Sequence, residues 1–202
     1  MRTIDGNQHP RNRHRSTGII LVAGLFFCLA ALLAAHPAGA GDRVPFSAYQ
    51  GLDLARDAAL IWADDAELVY LENDEPVGPD GTAERWGYLF FSPAAGESRG
   101  YSLRDGKVLE AADLEFDLNA PPLPKQWLDS GEILAAAEQA AGREYCETYR
   151  GHLSTMFLIR GAFHEKDADR STWAVIYTSE TEPTLLVVVD ALEGKVVRKW
   201  KG

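Results

Sequence analysis

Beyond residue 41 the chain has one cysteine and two histidines, the side chains best suited to a nucleophile, its base or a transition-metal ligand: Cys146, His152 and His164. Zinc requires three or four converging ligands at a defined spacing, and no pair among these three has that spacing. Cys146 with His152 could form a nucleophile and base, but a cysteine just past a helix more often packs as a small apolar residue, and that is its expected role. The run HEKDAD, His164 to Asp169, gathers oxygens and could hold calcium weakly through Asp167 or Asp169. It lacks the mid-loop glycine and terminal glutamate of an EF-hand loop, so a solvated hairpin turn is expected. PVGPDGTAE likewise reads as turns, with Asp80 and Glu84 as its nearby carboxylates. The chain contains no G-x-S-x-G elbow, no HExxH and no phosphate-cradling glycine loop. The expectation is therefore a noncatalytic protein with no catalytic, cofactor-binding or metal residue and no cofactor.

Charge and the first forty residues give the compartment. Arg11, Arg13 and Arg15 precede the apolar run Ile19 to Ala35, which is followed by Pro37 and the small residues Ala38, Gly39 and Ala40. A basic start, an apolar run and an A-x-A pattern read as an export signal over 1–40. The run is also long enough for a retained anchor through residues 19–35, and both readings stay open. Cys28 follows Phe27, where a lipid-attachment motif needs a small residue. Cys146 is then the single exported thiol and cannot form an intramolecular disulfide. With 20 Lys+Arg against 30 Asp+Glu and a net charge of −10, the chain is poorly suited to nucleic acid, whose phosphates attract basic patches. The expected location is periplasmic or secreted, or at the inner membrane if the N-terminal helix is uncleaved.

The exported part repeats itself. Trp86, Phe90 and Ser92 recur 87 residues later as Trp173, Tyr177 and Ser179, and Gly106-Lys107-Val108 recurs as Gly194-Lys195-Val196. The runs GYLFFS and AVIYTS have the aromatic and β-branched content of strands. LVYLEN (68–73) and TMFLIR (155–160) precede them, and YSL and LLVVVD (185–190) follow. The pairs Asp105-Gly106 and Glu193-Gly194 are tight-turn signals. A helix is expected before each set: one with a stripe of Leu54, Ala58, Ile61 and Trp62, the other with Ser130 as N-cap, a stripe of Ile133, Leu134, Ala137 and Ala141, and Gly142 as its stop. Pro121, Pro122 and Pro124 mark a stiff connector. The predicted fold class is α+β, with two repeats, each a helix followed by an antiparallel β-meander of about three strands, after the N-terminal signal or anchor helix. The predicted boundaries are 41–118 for the first repeat, 119–126 for the connector and 127–202 for the second.

This order resembles the PepSY domain family. Trp86, Tyr88, Phe90, Asp105, Gly106, Lys107 and Val108 carry one match; Trp173, Val175, Tyr177, Glu193, Gly194, Lys195 and Val196 carry the other. ALIWADDAEL and SGEILAAAEQA look like the family's lead helices. The resemblance implies an α+β fold and a noncatalytic role, in which the protein binds and modulates a peptidase or another cell-envelope or secreted protein. It carries over no catalytic residue. Since the chain has no attached peptidase domain, a self-inhibiting propeptide is not the expected form. A periplasmic carrier of a small molecule or lipid, with its cavity between helices and sheet, is the alternative.

Overall fold

The aromatic and β-branched runs all become strands, and all join one sheet. The structure, a computed structural model, describes residues 43–114, 120–163, 167 and 169–202. The expected signal or anchor, Cys28, Asn119 and His164 lie outside the described residues. The described residues form one compact unit. Helix α1 (Leu52–Trp62) is followed by β1 (Glu67–Asn73), β2 (Arg85–Ser92), β3 (Glu97–Arg104) and β4 (Lys107–Asp113). Then come α2 (Ser130–Ala137), a π-helical segment (Glu138–Gly142), α3 (Arg143–Tyr149), β5 (His152–Arg160), β6 (Ser171–Thr178), β7 (Leu185–Asp190) and β8 (Val196–Lys201).

The predicted architecture is corrected here. In place of two helix-led meanders of three strands, the described residues form a single antiparallel sheet of eight, in the order β4-β3-β2-β1-β5-β6-β7-β8. The joint is the pairing of β1 with β5: Tyr70 with Ile159, Leu71 with Leu158, Glu72 with Phe157. Both strands are buried on both faces at this point, and a strand buried on both faces gains most in a sheet's middle. The 87-residue echo reappears in this register. Leu158 is 87 residues beyond Leu71, so the pairing is locally two-fold about the Leu71–Leu158 pair.

One row of side chains crosses all eight strands on the helix-bearing face: Ala111, Tyr101, Tyr88, Leu71, Leu158, Trp173, Val189, Val196. Six of them, Tyr101 through Val189, belong to the buried core together with Leu52, Ala55 and Ala59 of α1 and Ile133, Leu134 and Ala137 of α2. Of the α1 stripe read from sequence, Ala58 and Trp62 pack against this core and Leu54 and Ile61 do not. Leu54 is exposed, as is Ile61, while the small Ala55 and Ala59 let the helix backbone close onto the sheet. The second helix also differs. Asp129, not Ser130, is its N-cap, in a capping box with Glu132. Gly142 does not stop it, and the chain remains helical to Tyr149, ending at Arg150 in the left-handed region (φ 52). Gly142 is instead an approach point, because a Cβ there would lie 2.3 Å from the Tyr177 hydroxyl.

Asp129 also ties the two halves of the sequence together. Its carboxylate accepts from the Tyr49 N–H at 2.9 Å and the Ser47 hydroxyl at 2.5 Å, while the Ala48 N–H donates to Ser130 Oγ at 3.1 Å. Nearby, Gly81 (φ 82) sits against Gly131, where a Cβ would come within 2.4 Å of the Gly131 Cα. Asp129→Ala is expected to lower stability by about 2 kcal/mol, the upper end for a lost cap, because orphaned N–H groups remain on both segments. Urea unfolding checks this, with Asp129→Asn, which keeps the acceptor, recovering most of the loss.

Candidate functional site

The residues singled out for chemistry do not form one centre among those described. Cys146 lies in α3, half-buried and packed against the core. Burial, with Glu138 and Glu147 nearby, pushes its thiol pKa up, which suppresses the thiolate that a nucleophile needs. His152 opens β5, exposed, with Nε2 3.3 Å from Thr178 Oγ1. The carboxylates of Asp167 and Asp169 each face an arginine, Arg170 at 3.3 Å and Arg160 at 3.0 Å. Asp80 accepts from the Thr82 N–H and hydroxyl in a turn, and Glu84 pairs with Arg43 at 3.0 Å. Among the described residues no group of three or more His, Cys, Asp or Glu side chains could hold a metal. Trp86 and Trp173 are fully buried and meet edge to face, 6.4 Å between ring centroids.

Two features were missed at the sequence level. The first lies on the sheet face opposite the helices, where one row reads Glu110, Ser102, Gly87, Glu72, Phe157, Ala174, Val188, Arg198. Glu72, at its middle, is only 6% exposed. Its Oε2 accepts from the Tyr70 hydroxyl at 2.7 Å, while its Oε1 is buried with no hydrogen-bond partner among the described residues. Burial, and secondarily the charge of Asp74 two residues on, raises its pKa to about 7. Asp74, on the same face, is better compensated: its Oδ2 accepts from Ser102 Oγ at 2.5 Å and lies 3.3 Å from Arg85 Nε. Arg85 also reaches Glu110 at 3.1 Å. The sequence signal was available, since an acid at the alternate position of the apolar run LVYLEN must share a face with Tyr70.

The second feature is the terminal strand β8. It pairs with β7 alone among the described residues, so one side of its backbone is left without a sheet neighbour. Residues 195–201 read KVVRKWK, which places four cations and no acid in a chain of net charge −10. Lys195 pairs with Glu193 and Lys201 with Glu182, both at 2.7 Å, and Lys199 donates to the Ala140 carbonyl at 3.2 Å. Arg198 is exposed with no carboxylate partner among the described residues, and the neighbouring Trp200 is 53% exposed. This combination can hold an extended anionic chain by ladder hydrogen bonds and charge.

No family model matches the chain, and no curated protein matches it. Among solved structures it is similar to a protein described as a "putative lipoprotein" from Clostridium difficile 630. The two are 14% identical with a TM-score of 0.48, and the match covers 75% of this chain and 93% of that one.

Proposed function

We propose that the protein is an exported, noncatalytic binding protein that engages a cell-envelope or secreted protein, with a peptidase among the candidates. The observation that carries this reading is the unpaired, basic β8 edge, because an open edge offers a partner's extended segment a ready row of backbone donors and acceptors. Export itself rests on the basic, apolar and A-x-A pattern of residues 1–40. The PepSY-like motifs agree with a modulating role and bring no catalytic group. Crosslinking in the native host followed by mass spectrometry tests the reading. A recurrent envelope or secreted protein crosslinked to residues of the sheet is the expected result. Nothing above background across growth conditions, or a small molecule co-purifying in native mass spectrometry, would favour a carrier and overturn it.

A further inference from the structure

The β8 edge carries enough detail to name the chemistry of what it takes, granted the binding role proposed above. The Gly202 N–H donates to the Thr184 carbonyl at 3.2 Å, and the β7–β8 register pairs Lys201 with Leu185, Trp200 with Leu186, Lys199 with Val187 and Arg198 with Val188. In an antiparallel ladder the hydrogen-bonded pairs alternate. Arg198, Trp200 and Gly202 therefore turn their backbone groups toward β7, and Lys199 and Lys201 turn theirs outward. The side chains alternate the other way. Arg198 and Trp200 stand on the helix-free face beside Val188 and Leu186, and Lys199 and Lys201 on the helix face beside Val187 and Leu185. An added strand would find outward donors and acceptors at Lys199 and Lys201, an unpaired cation at Arg198, and an apolar surface from Trp200 to the half-buried Leu186.

We propose that β8 accepts an extended, acidic polypeptide segment of a partner protein as a ninth strand, with an acid set against Arg198 and an apolar side chain against Trp200. Two alternative occupants fit less well. A second copy would have to offer one of its own free edges: β8, which carries the same cations and would be repelled, or β4, whose acids are already taken, Glu110 by Arg85 at 3.1 Å and Asp113 by Arg99 at 3.4 Å. An anionic lipid surface would neutralise the cations but leave the outward N–H and C=O groups of Lys199 and Lys201 without ladder partners.

The test uses the full chain and a synthetic peptide of about ten residues, long enough to span one strand, with glutamate and valine taking turns at every second position and threonine between them, so that one face presents an acid and an apolar side chain two residues apart, as Arg198 and Trp200 are. The expected result is saturable binding that weakens as salt rises from roughly 0.05 to 0.5 M, as a charge-steered contact must. Hydrogen exchange should slow at the amides of Lys199 and Lys201 and leave those of β4 unchanged. Arg198→Glu, which breaks no side-chain hydrogen bond or ion pair among the described residues, should weaken binding about tenfold with unchanged melting. Lys199→Pro, which removes an outward donor, should abolish it, and it is read only beside its own melting curve. Equal binding of the same peptide with lysine in place of glutamate would overturn the proposal, as would protection elsewhere on the sheet. Binding to vesicles containing phosphatidylserine but not to the peptide, or concentration-dependent self-association lost in Arg198→Glu, would overturn it in favour of those occupants. If host crosslinks fall on another surface, the acidic-strand proposal fails while the binding role stands. A peptide that binds at β8 in a protein with no crosslinked partner in the host gives the reverse outcome.

Discussion

Trp173→Ala is expected to lower stability by about 3–5 kcal/mol, the range for removing a buried tryptophan. This is a large share of the roughly 5–15 kcal/mol that holds a typical domain together. The indole is fully buried, 5.8 Å from the Trp127 ring and 6.4 Å from the Trp86 ring, both edge to face. Its Nε1 donates to the Leu128 carbonyl at 3.1 Å, so truncation both opens a cavity and orphans a carbonyl at the entrance to α2. Trp86→Ala should behave alike, since Trp86 Nε1 donates to the Phe46 carbonyl at 2.8 Å ahead of α1. Each tryptophan thus fastens the segment leading into a helix to the sheet. Because the two rings touch, the double replacement should depart from additivity by roughly 0.5–3 kcal/mol. Thermal unfolding checks this: a fall on the order of 10 °C for either single variant, against almost none for the exposed Trp200→Ala. Unchanged melting in Trp173→Ala would remove the tryptophan cluster as the centre of the core.

The parts of this arrangement that were legible in the sequence are those written locally. The runs around Trp86 and Trp173 became β2 and β6, LLVVVD became the interior strand β7, and the Asp105-Gly106 turn takes positive φ at both residues, 50 and 65. The single sheet was not written locally. The pairing of β1 with β5 joins residues nearly ninety apart, and neither run differs in composition from a strand that ends a separate module. Nor does a helical pattern say which stripe faces inward when small and large residues compete. In α1 the sheet accepted Ala55 and Ala59 and left Ile61 in water, because close approach of backbones outweighed the burial of one isoleucine. The α2 stop failed for a related reason. Gly142 serves the Tyr177 hydroxyl and not a helix end, and a glycine needed for space has the same letter as one needed for positive φ. The basic edge was readable as KVVRKWK, but only the sheet order shows that it is an edge.

The largest pH effect is expected from Glu72. Its folded pKa, about 7, lies above its ordinary 4.5, so the folded chain holds this proton more tightly than the unfolded chain does. Between those values the folded state binds more protons, and stability therefore falls as pH rises through the window and levels off above about 7. The full cost at pH 8 is about 3 kcal/mol, from 1.36 kcal/mol per pKa unit. Asp74, also raised by burial, acts with the same sign. Asp65 and Asp80 act with the opposite sign: hydrogen bonds from Ser92 and Thr82 lower their pKa values, so their contribution is present at neutral pH and lost as pH falls. The matching position in the other half of the sheet carries no carboxyl. Ile159, 87 residues after Glu72 and placed opposite Tyr70 just as Glu72 is opposite Phe157, fills the matching position with an apolar side chain. Glu72→Gln keeps an acceptor for the Tyr70 hydroxyl and cannot ionise. Urea unfolding from pH 5 to pH 8 should show the wild-type decline largely flattened in this variant, leaving it at least as stable as wild type at pH 8. A variant that declines as steeply as wild type would place the titrating group elsewhere and remove the buried, half-partnered carboxyl as a source of strain in the sheet.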